Sequence, residues 1–123
     1  MIGGVIDVSP ADCGQAAGAD NAGMFIHQVC FWLKQGTPDT VREQLIADCR
    51  KYLGAVPTVR QLWAGPPHFS PREVVDNSYQ VGLLVLLEDS KAHDVYQEHP
   101  SHLEFIARNK AHWEKVRVLD FEG

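Results

Sequence analysis

Residues 25–34 and 79–88 are strand-sized runs that are apolar on both faces, and this constrains the chain more than anything else in it. In the first run Phe25, His27, Val29, Phe31 and Leu33 alternate with Ile26, Gln28, Cys30, Trp32 and Lys34. Successive strand side chains point to opposite faces, so water suits neither side of such a strand and both must be covered. At 123 residues the chain is long enough for one core and too short for two domains. Its longest apolar run, Val81 to Leu87, is far short of the ~20 residues of a membrane span.

The punctuation between the runs predicts the remaining elements. Gln35-Gly36 ends the first strand. Thr37 is expected as the N-cap of a helix with Pro38 at its first position. Val41, Leu45, Cys49 and Tyr52 share one face of that helix, and Gly54 is its stop. Val59 to Ala64 reads as a second strand, residues 65–78 as a long connection and Tyr79 to Glu88 as the third strand. Ser90 is expected to cap the next helix, with Ala92, Val95, Tyr96 and His99 along one stripe. Pro100 cannot continue a helix, so a kink or a new helix begins there. Leu103, Ile106, Ala107 and Trp113 line the helix that follows, and Val116 to Phe121 is the last strand. The order is βαββαβ, an α+β ferredoxin-like arrangement of one four-stranded antiparallel sheet with helices on one face. Helices then cover only one side of strands that are apolar on both. A second copy of the chain is the expected cover, giving a homodimer.

Charge and composition sharpen this picture. Residues 1–23 hold three acids, no base, half of the ten glycines, and no aromatic residue or histidine. They are expected to be an N-terminal extension, either an extra segment before a start at Met24 or a short strand, Gly3 to Val8, on a sheet edge. The domain is expected to span residues 24–123, whose net charge is −2 against −5 for the whole chain. Lys and Arg do not cluster, so neither nucleic acid nor an anionic membrane is an expected partner. Residues 1–23 lack the basic and apolar regions of a secretory signal. Cys13, Cys30 and Cys49 form no CxxC pair, so reduced thiols in the cytoplasm are expected. Cys30 and Cys49 are expected as small core residues.

Three of the six histidines fall within residues 93–102, the segment His93-Asp94-Val95-Tyr96-Gln97-Glu98-His99-Pro100-Ser101-His102. Histidine suits proton transfer near neutral pH, and a neighbouring tyrosine hydroxyl can donate to a substrate oxygen. The turn at Pro100 can bring Tyr96, His99 and His102 to one cavity. His27 adds a fourth imidazole on an otherwise apolar strand face, where it needs a hydrogen-bond partner. His99 is equally suited to capping the helix that starts at Pro100, and His93 and His112 are expected at the surface. No metal is expected, because His99, His102 and a Glu match no standard ligand spacing. Trp63, Phe31 and Leu83 are candidate walls for a small, partly apolar ligand.

The opening Met24-Phe-Ile-His27-Gln-Val-Cys-Phe-Trp-Leu-Lys34, the Y-x-x-H-P-x-H signature from Tyr96 to His102 and the ending Trp113-Glu-Lys-Val-Arg-Val-Leu-Asp120-Phe121 together resemble the stress-responsive A/B barrel (Dabb) domains. The resemblance covers residues 24–121. It implies a homodimer in which two sheets pack face to face as an α/β barrel, with no cofactor and an unassigned role that includes binding a small molecule. A polyketide cyclase of this family has its general-base histidine at the position of His102, its substrate-orienting tyrosine at Tyr96 and a first-strand pocket histidine at His27. A further pocket histidine falls near Val81, where this chain has none, so the same substrate is not expected. The resemblance thus carries a second reading, a cofactor-independent cyclase, lyase or isomerase using a His–Tyr pair. A third reading, haem binding or monooxygenase chemistry, follows from other dimeric α/β barrels.

Overall fold

A computed structural model of the chain describes residues 23–123. The expected extension, residues 1–23, lies outside them except for Gly23. The element order is β1 (Phe25–Leu33), α1 (Asp39–Asp48), β2 (Val59–Gly65), β3 (Val81–Leu87), α2 (Ser90–Glu98), α3 (Pro100–Asn109) and β4 (Trp113–Glu122). All strand pairs are antiparallel in one open sheet of order β2-β3-β1-β4, the ferredoxin-like topology. No helix among the described residues is long and apolar enough to cross a membrane.

The period-two pattern of β1 decides the layers. Phe25, His27, Val29 and Phe31 are buried while Ile26, Gln28, Cys30 and Trp32 are half-buried on the other face. β3 follows the same rule, with Val81, Leu83, Val85 and Leu87 buried beneath the helices. Leu45, Cys49 and Leu53 from the first helix, Tyr96 from α2 and Phe105 from α3 complete that core. The helix beginning as α1 widens into a π turn over Cys49–Leu53, which carries Leu53 onto the sheet. Asp48 is buried at the end of α1; its carboxylate accepts from Arg108 Nε at 2.8 Å and Asn109 Nδ2 at 3.0 Å, tying α1 to α3.

Several local expectations shift by a residue or a turn. Pro38, not Thr37, is the N-cap of α1, and the Thr37 hydroxyl instead donates to the Lys34 carbonyl across the turn. Gly36 in that turn has φ +83°, a left-handed conformation that side chains disfavour. Gly54 ends its helix without leaving the right-handed region; a Cβ there would collide with the Arg50 carbonyl. Asp89 rather than Ser90 caps α2, its carboxylate accepting from Ala92 N at 2.8 Å. Asp89→Ala should therefore lower stability by about 1 kcal/mol in urea denaturation, with Ser90→Ala close to neutral. Trp113 is not on the last helix. α3 stops at Asn109, a single 3-10 turn spans Lys110–His112, and β4 begins at Trp113. β4 consequently runs the length of β1, and its end is fastened by paired backbone bonds between Met24 and Gly123 at 2.7 and 3.0 Å.

Among the described residues no helix covers the other sheet face. Cross-strand register places Leu86, Ile26 and Phe121 in one row, and Trp63, Leu84, Gln28 and Leu119 in the next. Trp63, Leu119 and Phe121 are each about half exposed there.

Candidate functional site

Between the helix-covered face of the sheet and the α2–α3 corner lies a cavity of about 190 Å³. Its apolar walls include Val29, Phe31, Leu83, Phe105 and Ile106, and Val116 and Val118 of β4 form its rim. Four polar aromatic side chains line it: His27, Tyr96, His102 and Trp113.

Each arrives by a local rule. His27 holds a buried position in the alternation of β1, in register with Asp120 on β4. Its Nδ1 lies 2.7 Å from Asp120 Oδ1. With the carboxylate ionised, Nδ1 carries a proton and donates it to Asp120. Tyr96 sits on the buried stripe of α2 and is 1% exposed. Burial holds its phenol protonated, well above the ordinary tyrosine range. His102 is brought back over Tyr96 by the break at Pro100, with ring centroids 4.7 Å apart. Burial, His27 and His93 push its imidazole toward the neutral form, against a backbone contact from Gln97. Its Nδ1 is buried without a hydrogen-bond partner, as is Nε1 of Trp113, which also lines the cavity.

His99 does not line this cavity. Its ring Nδ1 accepts from Ser101 N at 3.0 Å, capping α3 as the residue before a proline at the first helical position can. Phe31 and Leu83 are cavity walls, 2% and 5% exposed. Trp63 stands on the opposite sheet face, beside a shallow depression that includes Cys30, Tyr79 and Leu84.

His93 is not at the surface. It lies 9% exposed, stacked on Phe25 with centroids 4.5 Å apart and 4.8 Å from His27. Burial and the neighbouring His27 keep it neutral more strongly than Asp120 and Asp94 favour its charge. The position of His93 three residues before Tyr96 was the available signal, since i and i+3 share a helix face. Asp120 and Trp113 also belong to the site, but only strand register reveals them. Burial raises both described thiols, Cys49 to about 12, so neither is a thiolate nucleophile at neutral pH.

Comparison with known proteins fits this architecture. A Dabb family protein from Mesorhizobium loti, described as having a ferredoxin-like fold, is 28% identical with a TM-score of 0.67, over 80% of this chain and 95% of that one. A dimeric ferredoxin-like protein of unknown function from Thermobifida fusca has a TM-score of 0.68 at 18% identity, covering 80% and 90%. Hydroxynitrile lyase from Passiflora edulis has a TM-score of 0.71 at 18% identity, covering 81% and 93%. At that identity the last two establish the fold alone. No curated protein matches the sequence. The model of the Stress Responsive A/B Barrel Domain matches residues 25–123, essentially every residue that builds the sheet, the helices and the cavity, and the chain belongs to that family.

Proposed function

We propose that the protein acts as a homodimer in which each subunit binds a small, partly apolar molecule in the cavity between sheet and helices. One observation carries the reading: an apolar enclosure in which His27, Tyr96 and His102 converge, with His102 Nδ1 and Trp113 Nε1 buried and unpartnered. Buried polar atoms ordinarily have partners, and a site of apolar walls with a few convergent polar groups is the usual form of a ligand pocket. An indole N–H can only donate, so the ligand should carry an oxygen acceptor. A cavity of about 150 Å³ holds benzene, so a volume of about 190 Å³ fits a single oxygenated ring. It is too small for a haem, since cofactor pockets run to roughly 300–1,000 Å³. A second copy covers the open sheet face, in keeping with the dimeric neighbour and with the apolar rows there. Neither nucleic acid nor a membrane has a place in this reading. Free Cys30 and Cys49 fit a reducing compartment, for which we infer the cytoplasm.

The test is titration with acetophenone and phenol, followed by amide chemical shifts. Both should bind, with shifts clustered at Phe31, Leu83, Tyr96 and Trp113. His102→Ala should weaken the binding of phenol, whose hydroxyl can donate to the open Nδ1, about tenfold, the worth of one hydrogen bond of roughly 1.4 kcal/mol. No binding, or binding that is lost with Trp63→Ala and unmoved by His102→Ala, would overturn the reading.

A second reading rests on the same ring contact. A neutral His102 beside a protonated Tyr96 is arranged to remove a proton α to a carbonyl while the phenol steadies the oxygen. Loss of the methyl protons of bound acetophenone into D₂O would report it, and His102→Ala should slow that exchange about 10²–10⁴-fold.

A further inference from the structure

We propose that His27, His93 and Asp120 form a binding site for a divalent transition-metal ion, with Zn²⁺ taking two imidazoles, one carboxylate and an open fourth position. The residues come from β1, α2 and β4, and one ligating atom of each lies within 4.8 Å of the others. Nothing in the spacing of residues 27, 93 and 120 suggests the grouping; antiparallel register sets His27 against Asp120, and α2 lowers His93 onto the pair.

The observation that separates this cluster from an ordinary buried ion pair is Nε2 of His93. The residue is 9% exposed, its ring is held by the stack on Phe25, and Nε2 is buried with no hydrogen-bond partner. The His27–Asp120 hydrogen bond is complete without it. A ring packed for its apolar area alone would be better served by phenylalanine or leucine, which leave no buried nitrogen unmet.

The donor set selects the ion. Imidazole with carboxylate suits Zn²⁺ and its transition-metal neighbours, whereas Mg²⁺ and Ca²⁺ take oxygen donors. Two His and one acidic ligand with a vacant fourth position is a known catalytic zinc arrangement. Ligand atoms about a tetrahedral Zn²⁺ stand roughly 3.4 Å apart, so the present separations close by small side-chain rotations. Phe25 restricts such rotation at His93, so the Asp120 side chain, 34% exposed, would make it by giving up its hydrogen bond to His27. That exposure also supplies the entry path. His27 lines the ligand cavity, and Tyr96 lies 5.7 Å from the His27 ring and 6.0 Å from the His93 ring, so a bound ion would sit at the cavity's edge.

The proposal is tested with untagged full-length protein, stripped of metal and titrated calorimetrically with ZnCl₂ and spectroscopically with Co²⁺. One ion per chain should bind at micromolar Kd or tighter, and Co²⁺ should give the intense visible bands of four-coordinate geometry. His93→Gln and Asp120→Asn should each weaken binding at least tenfold. Asp120→Asn changes a partly exposed position, so it serves even where His93→Gln perturbs folding. His68→Gln, at an exposed histidine, should change nothing. Substoichiometric binding, or an affinity untouched by both His93→Gln and Asp120→Asn, would overturn the site. The phenol titration turns on His102, so the two proposals fail separately.

Discussion

Ile26→Asp should convert the proposed dimer to a folded monomer. Ile26 is central on the helix-free face: its row runs Leu86–Ile26–Phe121, beside Leu84 and Leu119 in the next. A two-fold dimer brings the same patch of both copies together, so one substitution places two carboxylates in a desolvated layer. Each buried unpaired ion costs several kcal/mol, and 1.4 kcal/mol is tenfold in Kd, so dissociation should rise by at least about a thousandfold. Along β1 and β4 the nearest cation on this face is Arg117, paired with Cys30 two rows away from Ile26. Ile26 faces away from the helix-side core, so circular dichroism should be retained while sedimentation gives half the mass. A monomeric wild type would overturn the dimer, and an Ile26→Asp dimer of unchanged affinity would place the interface elsewhere.

Residue patterns made legible whatever depends on local periodicity. Phe25 to Leu33 alternates without interruption, so its two faces could be assigned before any fold was known, and the need for a partner followed. Tyr96 and His102 were also legible, since the proline between them dictates a corner and a corner encloses space. What depends on contacts between distant segments was not legible. His27 and Asp120 are 93 residues apart, and only register makes them neighbours. His93, expected at the surface, is buried because α2 packs its ring onto Phe25 and beside His27. Trp113 continues the 3.6-residue spacing of Leu103 and Ile106, but the chain leaves the helix through a 3-10 turn first. The caps slipped by one residue at Asp89-Ser90 because both types cap well, and hydrogen-bond geometry alone decides.

Phe105→Ala should be the most destabilising single change in the helical layer, and also the most informative about the cavity. Phe105 is 2% exposed on α3, with its ring 6.2 Å from Phe31 and 6.0 Å from Trp113. Truncating a buried Phe to Ala costs about 3–5 kcal/mol, part transfer and part void. For a domain near this size that lowers Tm by roughly 15–25 °C, against a total stability of about 5–15 kcal/mol. Here the void does not form alone, because Phe105 is itself a wall of the cavity and its loss enlarges a space that already exists. Apolar voids bind apolar guests, and a ligand that binds only the folded state raises stability by RT ln(1 + [L]/Kd). Benzene at saturation should therefore raise the Tm of Phe105→Ala by more than it raises that of the wild type. Phe69→Ala, at an aromatic that is 72% exposed, should change neither stability nor the benzene response. Equal benzene shifts in Phe105→Ala and wild type would mean that the truncated site collapses. The cavity would then be plastic, and its volume would no longer bound the ligand. A larger shift in the variant would mean that rigid walls on α3 and β1 hold the volume open, and the size of the natural ligand could be read from them.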